Sequence, residues 1–384
     1  GWELSIKALI DNADCSHKAR FTLIDADGNE KASTIADLRP IISAKLPVED
    51  PVLWNGRKNP YLYTVRCEIF DSTTQEVTDN IDIRTGLREY HIDSHKGFFL
   101  NGEHIKLQGV SRHQDRENMG NAITEKQHAE DVKIILDVGA NSVRLAHYQQ
   151  NSYFYDLCDE SGLLVWAEVP VISRFSPKRN ENAEQQLVEL IKQNYNHPSI
   201  FCWGIENEIT IAGSANKKLI TFLKHMHKVA RHLDPTRYTT CAQLTMCPVN
   251  SPLNHITDII GYNHYYGWYM GSCDEINNWL DEWHRENPEG KLCLSEYGAE
   301  GITKYHSDSP VQGDYSEDYQ AIYHEHYIKS INERDWLWGS YVWNMFDFGS
   351  ASRNEGGVRG RNNKGLVTFD RKTKKDAFWL YKAY

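Results

Sequence analysis

The sequence predicts a mixed chain: an immunoglobulin-like β-sandwich over residues 1–90, followed by a (β/α)8 barrel over residues 91–384. Three observations predict it. Up to about residue 90, short runs of strand-forming residues are separated by turn signals, with no helical period between them. Beyond that point, strand-like apolar runs alternate with segments of helical length, as in successive βαβ units and a parallel sheet. Eight such alternations fit into about 280 residues, the size of one closed barrel.

The sandwich strands follow in order. Trp2-Glu-Leu-Ser-Ile-Lys-Ala-Leu-Ile10 alternates with period two and breaks at Asn12-Ala-Asp14. Residues 21–24 run into Asp25-Ala-Asp-Gly28, a hairpin-type turn. Residues 41–46 and 61–70 are further strands, with Pro51 and Pro60 punctuating the stretch between them. Residues 84–102 form the junction, and Asn101-Gly102 is a type I′ turn signal. Barrel strands are then expected to begin near Ile105, Asn141, Leu163, Ser199, Thr239, Asp258, Leu292 and Gly339. Helices are expected over 125–138, 153–160, 183–195, 217–232, 276–286, 315–332 and 376–384. Thr124 with Gln127 makes a capping box for the first of these, and Val132, Ile135 and Leu136 give it an inward face. The fifth unit is the weakest, because Thr239-Thr-Cys-Ala242 is short.

Two of the barrel strands end in carboxylates. The apolar run Phe201-Cys-Trp-Gly-Ile205 stops at Glu206-Asn207-Glu208, and Leu292-Cys-Leu-Ser295 stops at Glu296. A barrel of this kind carries its site at the C-terminal ends of its strands. Other polar residues fall at the same end: Arg112, His113 and Asp115, Arg144 and His147, Glu168, Asn263, His264 and Tyr265, and Trp343 with Asn344. One carboxylate at a strand end is commonly a helix cap or loop anchor. A rim this polar is hard to explain by stability, since burying unpaired polar groups costs free energy. Two converging carboxylates suit cleavage of a glycosidic bond, one as acid and one as nucleophile or base. Glu206 is expected on a solvent-exposed loop, although an extended strand would give it a face in common with Glu208. Glu300 is a further carboxylate near the second strand tip.

Composition narrows the partners. A net charge of −11 argues against nucleic acid and anionic membranes, and no run of 18 apolar residues exists to span a bilayer. Residues 1–25 lack the pattern of a signal peptide. None of the eight cysteines forms a C-x-x-C pair, which disfavours zinc, and several of them, Cys202 and Cys293 among them, sit in apolar runs, which suits a reducing, cytoplasmic setting. A periplasmic or secreted setting stays open, because the chain opens inside a sandwich-like pattern and a preceding domain is expected to be missing. The chain has eleven Trp and 21 Tyr, and some of them cluster near residues 262–269 and 336–343, where rings could stack on a carbohydrate.

Asn207-Glu208 and Ser295-Glu296-Tyr-Gly298 resemble the acid/base and nucleophile segments of glycoside hydrolase family 2, the β-galactosidase and β-glucuronidase family. Gly86-Leu-Arg88, Gly97-Phe-Phe-Leu-Asn-Gly102, Gly109-Val-Ser-Arg-His113 and Ser142-Val-Arg-Leu-Ala-His147 are similar to its junction and first strand ends, so the resemblance covers nearly the whole chain. It implies a retaining double displacement with Glu296 as nucleophile and Glu208 as acid/base, supported by Arg144 and Tyr265. It further implies that Asn207 holds the sugar 2-hydroxyl and that His113, His147, Asn263 and Trp343 line the subsite. Large β-galactosidases of the family bind magnesium with residues after strand three. Here Ile172 and Arg174 stand at those positions, so no magnesium and no organic cofactor is expected, with sodium left open. Asn362-Asn-Lys364-Gly resembles the segment with which β-glucuronidases grip the sugar carboxylate, whereas residues 342–348 and 365–372 are more similar to the galactosidase branch. A β-galactosidase is the favoured expectation and a β-glucuronidase the alternative. A carbohydrate-binding barrel without turnover is the alternative of another class. A homo-oligomer is compatible with all three.

Overall fold

The computed structural model describes residues 1–384. Two compact units emerge: residues 1–89 with 159–162 and 196–198, and the remainder.

In the first unit, His17–Ile24 lies between Glu30–Asp37 and Tyr63–Asp71, and Val77–Thr85 completes a four-stranded antiparallel sheet. Trp2–Leu9 pairs with Ile41–Val48 in a second antiparallel sheet, the other layer of the sandwich. Period-two patterning sets the core. Ile42, Ala44, Leu46 and Val48 point inward with Ala19, Phe21 and Leu23, while Ser43 and Lys45 stay outside. Val77–Thr85 escaped the sequence reading because Val77, Ile81 and Ile83 are scattered among polar residues and nearly the whole strand is exposed, as an edge strand tolerates.

In the second unit, a closed barrel of eight parallel strands runs through Leu107–Arg112, Ser142–Leu145, Leu164–Glu168, Ile200–Asn207, Tyr238–Leu244, Ile259–Asn263, Leu292–Tyr297 and Gly339–Val342. Each begins within two residues of its expected start. The fifth is seven residues long, extended by Gln243 and Leu244 beyond the short run seen in sequence. Where a helix would follow it, there is only the one-turn segment Pro252–His255. The remaining helices stand near their expected places, and Thr124 N–H donates to Gln127 Oε1 at 2.9 Å, one half of the capping box. Large interior rings fill the barrel. Trp166, Trp338 and Tyr341 lie with centroids 5.6–6.3 Å apart.

A three-stranded sheet (Tyr90–Asp93, Gly97–Leu100, Glu103–Ile105) packs Tyr90 and Phe98 against Phe201, at the N-terminal end of the fourth barrel strand. Its hairpin turns on Asn101 and Gly102, both at positive φ as a type I′ turn requires. The C-terminal mouth is left for chemistry. No helix is long and apolar enough to cross a membrane.

Candidate active site

Alternation along each barrel strand decides which residues enter the mouth. Arg144, on the second strand, points inward and is fully buried. Its guanidinium donates through Nη1 to Glu296 Oε1 at 2.7 Å, through Nη2 to Asn207 Oδ1 at 2.7 Å, and through Nε to Glu168 Oε2 at 3.0 Å. One cation from strand two thus joins the tips of strands three, four and seven. Burial alone would lower its pKa, but Glu168 and Glu296 outweigh that and raise it, so it stays charged. Tyr265 donates its hydroxyl to the other Glu296 oxygen at 2.7 Å. Glu296 therefore receives one charged and one neutral donor.

Glu208 has a different environment. Its Oε1 accepts from Asn263 Nδ2 at 2.9 Å, and the same amide nitrogen donates to Asn207 Oδ1 at 3.1 Å. Ser295 Oγ donates to Asn263 Oδ1 at 2.7 Å and fixes which way that amide faces. No cation pairs with Glu208. Burial first, and then the Glu296 carboxylate, push its pKa up to about 7. The chain reaches this residue through a register shift between Gly204 and Asn207, and Glu208 itself sits at φ +49. A left-handed conformation at a residue other than glycine is the kind of local strain that gathers at functional sites. The bends are held from both sides: Asn207 N–H donates to Val171 O at 2.9 Å and Glu208 N–H to Ala242 O at 2.8 Å.

The aromatic wall stands beside this pair. His147 donates from Nδ1 to Glu168 Oε1 at 2.6 Å, leaving Nε2 3.9 Å from Glu296 Oε1, and its ring stacks on Trp343 with centroids 5.0 Å apart. His113 meets Trp343 edge-on at 5.3 Å. Burial, His147 and nearby arginines hold its pKa well below 6.5, so it is neutral, and Tyr148 OH donates to its Nδ1 at 3.3 Å. Phe348 lies 4.4 Å from the His113 ring. The peptide bonds Ala146–His147 and Trp343–Asn344 are cis.

Lys364 is buried at the other flank, its Nζ 5.7 Å from the Tyr265 ring centroid. It donates to Tyr269 OH at 2.6 Å and to Glu300 Oε1 at 3.2 Å. Arg353, on the hairpin strand Phe348–Glu355, donates to the same two groups, each at 2.7 Å. Burial would raise the Glu300 pKa, but Lys364 and Arg353 outweigh it and hold the carboxyl down. Asn362 accepts the Lys364 backbone N–H at 3.0 Å and shapes the loop from within.

Several sequence expectations need correcting. Glu206 is not a solvent-exposed loop residue: it is 1 % exposed, its carboxyl held by Ile209 N–H and Gln243 Nε2, and a register shift between Gly204 and Asn207 interrupts the simple alternation of the strand. Arg112 does not reach the cleft; it lies behind it, paired with Asp131 at 2.8 Å. His264 is buried against Tyr262, Tyr266 and Trp279, pointing away from the barrel interior, as the neighbour of the inward-facing Asn263 must. Asp115 accepts the Gly349 N–H at 2.8 Å and holds a loop. Tyr148, Phe348 and Arg353 at the mouth were not expected as site residues. Tyr148 and Phe348 lie in or beside segments that carry the resemblance at strands two and eight, whereas Arg353 carried no signal.

The fold and mouth define a (β/α)8 barrel with two unlike carboxyls at its C-terminal end, one buried and one half-buried, the arrangement of a glycosidase-type scaffold. Residues 92–384 match the family described as glycosyl hydrolases family 2, TIM barrel domain, and residues 2–88 match glycosyl hydrolases family 2. The chain belongs to that family. It is 44% identical over 353 residues to a β-glucuronidase of Bacteroides fragilis, covering 88% of this chain and 49% of that protein. Among solved structures, an FMN-binding β-glucuronidase from Facaelibacterium prausnitzii L2-6 is 48% identical with a TM-score of 0.93, over 97% of this chain and 57% of that one. A putative β-galactosidase from Bacteroides fragilis is 38% identical with a TM-score of 0.93, over 99% and 58%. The chain spans about half the length of the curated relatives it matches.

Proposed function

We propose that this chain carries the catalytic machinery of a retaining exo-β-glycosidase acting on terminal β-D-glucuronides. The observation that carries the chemistry is the unequal treatment of two neighbouring carboxyls. Glu296 is met by Arg144 and Tyr265, donors suited to an anion, whereas Glu208 is half-buried with only an amide donor and holds a proton to about pH 7. In this reading Glu296 attacks the anomeric carbon while the Glu208 proton passes to the leaving oxygen. The Glu208 carboxylate then takes a proton from the water that releases the sugar. Asn207, fixed by Arg144, faces the 2-hydroxyl, and Trp343 with His113 and His147 lines the ring. Both Glu168 oxygens are engaged by Arg144 and His147, and Ile172 and Arg174 follow it, which supports a site that works without magnesium.

The sugar assignment departs from the galactoside that the sequence favoured. Relatives of 44% and 48% identity are described as β-glucuronidases, and the Lys364 ammonium flanks the Tyr265 ring, suited to a uronate carboxylate. One observation favours a neutral galactoside as second reading: Glu300 already compensates the charge of Lys364.

Nitrophenyl β-glucuronide, β-galactoside, β-glucoside and β-mannoside assayed side by side decide between them. The expected result is preference for the glucuronide, with K364A losing about 10–100-fold in kcat/KM on it, the scale of one charge-assisted bond, and little on the galactoside. Preference for the galactoside installs the second reading. Binding of a sugar without product at any pH leaves a non-catalytic barrel.

A further inference from the structure

Glu206 has no part in the chemistry above, yet it is a carboxyl buried in a site that already contains Glu168 and Glu208. Its Oε2 accepts the Ile209 N–H at 3.1 Å, and its Oε1 accepts from Gln243 Nε2 at 2.9 Å. The Cys241 thiol is its other polar neighbour, and no lysine, arginine or histidine pairs with it. An uncompensated buried charge is costly, so something must justify keeping a carboxyl there.

The contacts give the reason. The bond to Ile209 closes a turn over residues 206–209, and Glu208 is the residue inside that turn with φ +49. The bond to Gln243 fastens the same carboxyl to the residue after Ala242, whose carbonyl accepts the Glu208 N–H. Glu206 therefore ties down the chain just after Glu208 and the strand that holds the Glu208 backbone. We propose that Glu206 is a positioning residue, closing the turn that aims the Glu208 carboxyl at the leaving-group oxygen. This inference rests on the acid/base role proposed for Glu208.

The protonation state suits the task. Burial, reinforced by the Glu168 and Glu208 carboxyls, pushes the Glu206 pKa up to about 8, so the group is neutral where Glu208 holds its proton. Neutral, it keeps one oxygen for Ile209 N–H and offers an O–H to Gln243. Gln243 Oε1 is buried and has no partner, so turning that amide to receive the O–H sacrifices no bond of its oxygen. A glutamine at 206 would present the same acceptor and donor.

The test separates misaimed acid from general damage. Departure of a phenol needs protonation, whereas departure of 2,4-dinitrophenol does not. For aryl glycosides of whichever sugar the wild type accepts, E206A in the full chain should lose about 100-fold in kcat/KM with phenol leaving and under about 3-fold with dinitrophenol, the share that general acid catalysis supplies. E208A should show the same selectivity more strongly, and E206Q should restore most of the phenyl activity. If E206A does not fold, Q243A, which frees the other end of the tie, should shift the ratio in the same direction. Equal losses on both substrates in E206A or Q243A, or failure of E206Q to restore, overturn the positioning role. If E208A itself lacks leaving-group selectivity, the acid/base assignment falls, and the inference with it.

Discussion

Two glutamates at one barrel mouth differ because their nearest donors differ. Arg144 and Tyr265 reach Glu296 from strand two and from the end of strand six, while Glu208 has the Asn263 amide and no cation. A folded pKa of about 7 for Glu208 means that the acid is lost as pH rises through that value. The expected kcat/KM profile against pH therefore has an alkaline limb near 7. In E208Q that limb should vanish, with a loss of about 100- to 10,000-fold on substrates with poor leaving groups. A limb that persists in E208Q would assign the titration to another group. At this scale the sequence was partly legible. Glu208, Glu296, Asn207, Arg144, His147, Asn263 and Tyr265 could be nominated from strand ends and resemblance, and the structure gathers them into one bonded cluster. Glu206 could not be read correctly, because its direction depends on a one-residue irregularity in pairing, and residue types do not encode that.

Barrel strands read well from sequence because parallel strands covered on both faces are nearly continuous apolar runs. Elements that face water read poorly. The edge strand Val77–Thr85 and the hairpin Phe348–Glu355 with Val358–Asn362 are mostly polar, and tertiary pairing makes them strands. Inside the barrel, small residues make room for large ones. A Cβ on Gly109 would lie 2.4 Å from the Tyr341 ring, and one on Gly204 would lie 2.5 Å from Trp166 Nε1 and 2.6 Å from Glu168 Cβ. G204A should accordingly destabilise the protein by about 1–3 kcal/mol through overpacking. It should lower kcat as well, since Glu168 orients both Arg144 and His147. Calorimetry paired with steady-state kinetics checks this. An unchanged melting temperature would mean that the strand relaxes freely at the bulge.

Over the whole molecule, buried titrating groups oppose one another with pH. His128, held at about 4, and His264 and His324, at about 3, are buried with folded values below 6.5. Their contribution is complete above 6.5 and is lost as pH falls. Asp234, paired with Arg237 against the effect of burial and held at about 2, is likewise lost in acid. Glu206 and Glu208, raised by burial to about 8 and about 7, stabilise fully below 4.5 and lose that contribution as pH rises through their folded values. Melting temperature should therefore pass through a maximum between about pH 5 and 7. Its decline from there towards pH 8 should be shallower in E206Q, and equal slopes in both proteins would refute a neutral Glu206. The sequence alone determined the alternation of strands and helices in the barrel and the strands that end in carboxylates, because apolar periodicity and turn chemistry are local properties of a chain. Only the tertiary structure decided which carboxyl meets Arg144 and Tyr265 and which is left with a single amide donor. Those donors arrive from strands far apart in the polypeptide, so no local pattern encodes them.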